Sequence, residues 1–276
     1  MIRLDNKTIV ITGAGSGLGR EYALACARSG AQVVVNDVNA EAAEDTVDLI
    51  RQQGDTALAF VGSVSSWTDT QDMVEACLAE YGQIDGFVAN AAIMHMVEPW
   101  DEEESQLRAT AEINILGTQF CVRHAMRAMI QGGRGGSIVT VVSGAMHGIA
   151  GMSAYGASKG AVAAMTANWA LEGQGHGIRV NAVSPWAMTK MVGAHLDKSK
   201  ADPKSFPTAA SIAPLVVSLL ADDTADVTGR MIRFDGTRIS SYETAVNFIQ
   251  ERAEWTPEAV TDALNGGLRR DTERAG

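Results

Sequence analysis

The sequence has little sulphur, no long apolar run and a shortage of cations, and each lack removes a class of function. Of its 276 residues only three are cysteines. Cys26, Cys77 and Cys121 each sit in a helical pattern beside Ala, Leu or Val, and no C-x-x-C pair occurs. That usage fits buried free thiols in a reducing compartment and points to the cytoplasm. No apolar run reaches the ~18 residues that a membrane span needs. The opening MIRLDNKTIVITG lacks the apolar core of a signal peptide and leads straight into a strand-like pattern, so neither a membrane nor export is expected. Lys and Arg number 22 against 33 Asp and Glu, a net charge of −11. Phosphate binding needs a basic face, so nucleic acid is not an expected partner. His95, His124, His147, His176 and His195 show no metal-ligand spacing, and no metal is expected.

What is present is an alternation. Apolar β-branched runs at Thr8–Thr12, Gln32–Asp37, Thr56–Val61, Gly86–Ala89, Ser137–Val142, Ile178–Val183 and Met231–Phe234 read as strands. They are continuous rather than alternating, the mark of strands buried on both faces of a parallel sheet. Helical patterns lie between them at Leu18–Ser29, Glu41–Gln53, Trp67–Tyr81, Glu102–Met129, Tyr155–Gln174 and Ala209–Ala221. The alternation predicts an α/β fold, a doubly wound parallel sheet of Rossmann type with helices on both faces. No repeat or low-complexity linker divides it, so residues 1–264 are expected to form a single domain. Residues 185–208 break the pattern and read as a substrate lid, and the polar stretch 265–276 reads as a flexible tail.

Two local patterns carry chemistry. Strand Thr8–Thr12 runs into TGAGSGLG, where Gly13, Gly15, Gly17 and Gly19 free the backbone to turn and to approach a phosphate. The helix that follows offers its N–H groups and positive dipole end to an anion. A tight strand–helix turn would need fewer glycines. Asp37 ends the second strand about 20 residues later, where a carboxylate accepts from both hydroxyls of a ribose and repels a 2′-phosphate. No arginine flanks it, which favours NAD over NADP; the competing role, capping the next helix, suits Asn39 better. Further on, Tyr155 and Lys159 stand four apart among Ala154, Gly156, Ala157, Ser158 and Gly160. On a helix such residues share a face. A cation near a phenol lowers its pKa, so the pair reads either as an acid/base device or as a tyrosine packed on a lysine stem.

The motifs together resemble the short-chain dehydrogenase/reductase family over roughly Asp5 to Thr237. They are T-G-x-x-x-G-x-G at Thr12–Gly19, Asn90-Ala91-Ala92, the helical N-x-x-G at Asn114–Gly117, Ser143, Tyr155-x-x-x-Lys159, Arg179-Val180-Asn181 and Ser184-Pro185. The resemblance implies an NAD-dependent oxidoreductase that moves a hydride between a secondary alcohol and its ketone. Tyr155 would be the general acid/base, Lys159 would lower its pKa and hold the nicotinamide ribose, Ser143 would orient the substrate oxygen, and Asn114 would hold a relay water. Small residues around Tyr155 would let cofactor and substrate approach. Cofactor contacts would fall to Gly13, Ser16, Gly17, Leu18, Gly19, Asp37, Ser63, Val64, Asn90 and Ala91, then Tyr155, Lys159, Pro185, Trp186 and Met188. A homotetramer is also implied, through helices Glu102–Met129 and Tyr155–Gln174.

Three departures from the family pattern stand out: Ala92 in place of a glycine, Ser63 in place of an aspartate, and Trp186 after Pro185 in place of a glycine. The substrate pocket is expected from Met94, Met96, Ala145, Met146, Met152, Trp186 and Met191, a pliable apolar wall almost free of charge before Lys190. Such a wall suits a hydrophobic cyclic, terpenoid, steroid or aryl alcohol. Two alternatives are a 3-hydroxyacyl-CoA dehydrogenase, with Lys190, Lys198, Lys200 and Lys204 as a basic rim, and a non-catalytic nucleotide sensor.

Overall fold

In the computed structural model, residues 2–187, 206–243, 249, 251 and 254–267 are described. The chain divides into two compact units, Met1–Tyr242 and Glu243–Gly276; the expected domain over 1–264 spans the first and part of the second. In the second unit a helix covers Pro257–Gly267, so Asn265 to Gly267, expected in the tail, close that helix. Residues 268–276 lie outside the described residues, as does 188–205, most of the expected lid.

The first unit is an eight-stranded sheet in the order β3-β2-β1-β4-β5-β6-β7-β8. Its strands are β1 (Thr8–Thr12), β2 (Gln32–Asp37), β3 (Ala57–Val61), β4 (Gly86–Ala89), β5 (Gly136–Val141), β6 (Ile178–Pro185), β7 (Met231–Phe234) and β8 (Ile239–Tyr242). The first seven pair parallel and β8 returns antiparallel on β7. The chain winds outward from β1 to β3 and then crosses back to lay β4 beside β1. That reversal opens a crevice beyond the C-terminal ends of β1 and β4, where open α/β sheets bind ligands.

Strands β1 and β4 are buried throughout, as their unbroken apolar runs require. One face of the sheet is covered by α1 (Gly17–Arg28), α2 (Ala40–Arg51) and the later helix Ala213–Leu220. The other is covered by α3 (Trp67–Tyr81), α5 (Thr118–Gly132) and part of α6 (Ser153–Gly173). Asn39 caps α2, its side chain accepting from the Ala42 N–H, which leaves Asp37 free of that duty.

The structure departs from the sequence expectations in three places. The helix expected over Glu102–Met129 is α4 (Glu104–Thr110), a π-helical stretch Ala111–Gly117, and α5. The π stretch carries Asn114 in the buried interior, and Gly117 abuts Val64, where a Cβ would lie 2.8 Å from Cγ2. Such wide turns concentrate at functional sites. The helix expected over Ala209–Ala221 is a 3₁₀ turn, Ala209–Ile212, followed by α7 (Ala213–Leu220), because Pro214 starts a helix afresh. Strand β8 was not expected. Its Ser240 and Ser241 give no apolar signal, and it is an exposed edge strand. Its hairpin is set locally: Gly236 adopts φ +86°, and Asp235 Oδ1 accepts from the N–H groups of Thr237 and Arg238.

Candidate active site

The C-terminal edge of the sheet bounds a cavity of about 700 Å³. The glycine loop forms one end. Gly13 and Gly17 hold positive φ values of +62° and +57°, which a side chain would strain. Gly19 does not line the cavity, contrary to expectation. A Cβ there would run into the Gly13 carbonyl, so this glycine allows α1 to close on its own loop. Three groups pin the loop, and of these Arg20 carried no signal in the sequence. Asn90 Nδ2 donates to the carbonyls of Thr12 (2.9 Å) and Gly13 (3.2 Å). Thr12 Oγ1 accepts from the N–H groups of Asn90 and Ala91, both at 3.1 Å. Arg20 donates to the Gly15 carbonyl (2.6 Å) and to Thr46 Oγ1 (3.0 Å).

Asp37 lies along this end of the cavity. Its Oδ2 accepts from the Gly15 N–H at 3.0 Å and its Oδ1 from the Asn39 N–H at 3.1 Å. A carboxylate oxygen has two lone pairs, so each oxygen keeps one for a ligand. A Cβ on Gly15 would lie 2.8 Å from Oδ2, so only glycine allows this approach. Ser63 lines the cavity near Val64, and its N–H donates to Asp69 at 2.8 Å. Asp69 is thus drawn into loop geometry that sequence reasoning gave to Ser63 alone. That bond, with one from the Ser66 hydroxyl, holds the Asp69 carboxyl below the usual range.

The other end is built on β5 and α6. Ser143 caps a 3₁₀ turn, Gly144–His147, by accepting from the Ala145 N–H. Gly156 lies so close to that turn that a Cβ would stand 2.6 Å from the Ala145 carbonyl oxygen. Gly156 therefore docks α6 on the turn, whereas Gly160 has open space beside it. Lys159 is buried, donates from Nζ to the Val141 carbonyl at 2.8 Å, and lies 5.6 Å from the Tyr155 ring centroid. Burial pushes its ammonium down to about 8. Burial raises the Tyr155 phenol, and a hydrogen bond from Ser143 pulls the other way. Of these two influences on the phenol, desolvation is the larger.

Asn114 does not line the cavity. Its Oδ1 accepts from the Ile93 N–H (2.8 Å), and its Nδ2 donates to the Ile93 carbonyl (2.9 Å) and to Ser158 Oγ (3.0 Å). Both amide protons are committed, so the side chain acts here as a brace between the π stretch, the loop after β4 and α6. Its main-chain carbonyl accepts from Thr118 Oγ1 at 2.8 Å.

The structure brings Ser16, Leu18, Ala91, Pro185 and Trp186 to the cavity, as expected, together with Met94, Met96 and Met152. Ala145 and Met146 are corrections. Ala145 is buried beneath Gly156, and Met146 packs with Val142, Val162 and Met231 in a small core under α6. Met188, Met191, Lys190, His195, Lys198, Lys200 and Lys204 lie outside the described residues. Phe206, which no sequence signal marked, lines the cavity and stacks on Trp186 at 5.5 Å between centroids. Among the described residues no cluster of His, Cys, Asp and Glu could hold a metal. Among the described residues no helix is long and apolar enough to cross a membrane.

The family profile described as short chain dehydrogenase matches residues 7–200. A 2,5-dichloro-2,5-cyclohexadiene-1,4-diol dehydrogenase of Sphingobium indicum is 35% identical over 86% of this chain and 98% of its own length. A sorbitol dehydrogenase of Cereibacter sphaeroides is 38% identical over 75% of this chain and 80% of its own. The crystal structure of a short chain dehydrogenase from Mycobacterium avium superposes with a TM-score of 0.86 at 29% identity, covering 96% of this chain and 97% of that one.

The buried ammonium makes a stability prediction. Lys159 has a folded pKa of about 8, depressed from 10.5, so unfolding takes up protons between those values and the native state gains stability as pH rises through that window. Below it the charged form carries a penalty of at most about 3 kcal/mol. Lys159→Met removes the penalty and orphans the Val141 carbonyl, at a cost of about 1 kcal/mol. The variant should resist urea better than the parent at pH 7, and this advantage should vanish or reverse by pH 10.5.

Proposed function

The chain belongs to the short-chain dehydrogenase family, and from that premise we propose that it is an NAD-dependent oxidoreductase interconverting a hydrophobic cyclic secondary alcohol and its ketone. The observation that carries the reading is one cavity lined by Ser143, Tyr155 and Lys159 and also by the glycine loop and Asp37. The residues fit a dinucleotide. The loop offers backbone without side chains, and Asp37 keeps a free lone pair on each oxygen for the adenosine ribose. Ser63, Val64, Asn90 and Ala91 would flank the adenosine half, with Pro185 and Trp186 by the nicotinamide half. A bound nicotinamide supplies the hydride acceptor or donor.

The chain supplies the rest. Ser143 Oγ holds the substrate oxygen. Tyr155 Oη exchanges a proton with that same oxygen, and burial keeps it as the phenol, the form that protonates a ketone. Lys159 offers Nζ donors beyond the one on Val141 to a ribose hydroxyl. Asn114 holds the frame in which these groups meet; a relay water would have to use its main-chain carbonyl. Met94, Met96, Met152, Trp186 and Phe206 give the substrate end its apolar wall. Cyclic alcohols are favoured because burial of a ring is worth ~25 cal/mol for each Å² removed from water, whereas a polyol leaves hydroxyls to be matched one by one. The assembly we read is a homotetramer in the cytoplasm, supported by Leu107, Leu116 and Leu171, which stand exposed on α4, the π stretch and α6.

Two measurements test this. Tyr155→Phe should lower kcat for a cyclohexanol roughly 10²–10⁴-fold while NADH still binds, since it removes the proton path and leaves the fold; parental kcat in the variant would refute the role. In the second, kcat/KM should favour NAD over NADP by at least ~100-fold, about 2.7 kcal/mol, because Asp37 repels a 2′-phosphate, and ring alcohols should outrank sorbitol. Equal efficiency with the two cofactors would remove NAD from the reading.

A further inference from the structure

The end of β7 carries a cation that has no counter-charge among the described residues. Arg233 pairs in register with Ser184 on β6 and Ser240 on β8. Its guanidinium carbon lies over the Trp186 ring, 5.1 Å from the centroid. Nη1 makes one long hydrogen bond, 3.3 Å to Tyr242 Oη, and that hydroxyl lies 3.4 Å from Ser184 Oγ. A Cβ built on Gly144 would stand 3.3 Å from the same Nη1. The guanidinium therefore rests against the turn that begins at Ser143, with Trp186, a wall of the cavity, beneath it.

Other part-buried arginines in the chain have structural work. Arg179 donates to the carbonyls of Leu219, Ala221 and Val227 and to Thr224 Oγ1. Arg20 is spent on the glycine loop and α2. Arg233 has five N–H donors, one used on a neutral hydroxyl, and among the described residues no carboxylate lies within 4.0 Å of it. A half-buried guanidinium held over an indole has lost part of its hydration and its rotamer freedom. Such a group gains most from a planar anion that takes two N–H donors at once.

We propose that Arg233 is a specificity-determining residue that receives a carboxylate carried by the substrate, on the part of the molecule away from the reacting hydroxyl. The proposal rests on the reading of the cavity as the dehydrogenase site and narrows its substrate to an amphipathic one: an apolar ring with an acidic substituent. Trp186 contributes the apolar face for the ring and, on the same side chain, the platform that orients the guanidinium. Sequence reasoning missed this because Arg233 lies on an edge-side strand far from every motif, and only the fold sets it against Gly144 and Trp186.

The test uses the full-length protein with saturating NADH and titrates cyclohexanecarboxylate, read by calorimetry. Binding to the parent should be saturable, and Arg233→Met should weaken it ~10–100-fold, the loss expected for a charge-assisted hydrogen-bonded pair. Arg233→Lys should recover part of that loss, since it restores the charge without the fork. In parallel, the loss of kcat/KM on 4-hydroxycyclohexanecarboxylate should exceed the loss on 4-methylcyclohexanol at least tenfold and fall mainly on KM. No binding to the parent, or equal binding to parent and Arg233→Met, overturns the proposal. Oxidation of 4-methylcyclohexanol by the parent would then still support the dehydrogenase reading, so the two fail separately.

Discussion

The site depends on one costly contact, the burial of the Lys159 ammonium against a single carbonyl, that of Val141. Among the described residues no carboxylate pairs with Lys159, and desolvation pulls its pKa down to about 8. A buried charge with one partner is a stability liability that other packing must offset. Here the offset comes from α6 as a whole, which closes on β5, β6 and the turn after β5 because Gly156 and Gly173 remove side chains where backbone meets backbone. A Cβ at either glycine would come within 2.6 Å of a carbonyl oxygen. The reward is an ammonium with unspent donors fixed beside a half-buried phenol.

The rest of the catalytic end is tied to that helix. Ser158, one residue before Lys159, donates to the Tyr155 carbonyl at 2.7 Å and receives from Asn114. Asn114 in turn clamps the backbone of Ile93 on both its N–H and its carbonyl. One buried amide thus joins the π stretch, the loop after β4 and the helix that bears Tyr155. The nucleotide end has a matching clamp in Thr12 and Asn90, which join the loops after β1 and β4. Both clamps meet in Asn90–Ile93, so the two halves of the cavity share one loop as a common wall.

Seven of the eight strands and the doubly wound order were legible because buried parallel strands write themselves as continuous apolar runs. Tyr155, Lys159 and Asp37 were legible because their chemistry needs particular side chains at particular offsets from recognisable elements, whereas Ser143 was marked only by the family resemblance. What was hidden had no such signature. The edge strand β8 is half serine, and its hairpin is specified by Asp235 and Gly236 rather than by apolar pattern. The π turn is indistinguishable from α-helix in residue spacing. Met146 reads as a pocket residue by its place in a loop, yet the 3₁₀ turn packs it, half-buried, against the small cluster of Val142, Val162 and Ala182. Phe206 reaches the cavity, and Arg233 its Trp186 wall, only through tertiary structure, so no local spacing could reveal them.

The most direct test of the account is the titration of Lys159 itself, followed through its Nζ by nuclear magnetic resonance on protein labelled at lysine. The signal is assigned by its absence in Lys159→Met. The account predicts a midpoint of about 8, well below the other lysines. A midpoint near the ordinary lysine value of about 10.4 would contradict it, because an ammonium that titrates normally is not buried and cannot be the group around which the site is built.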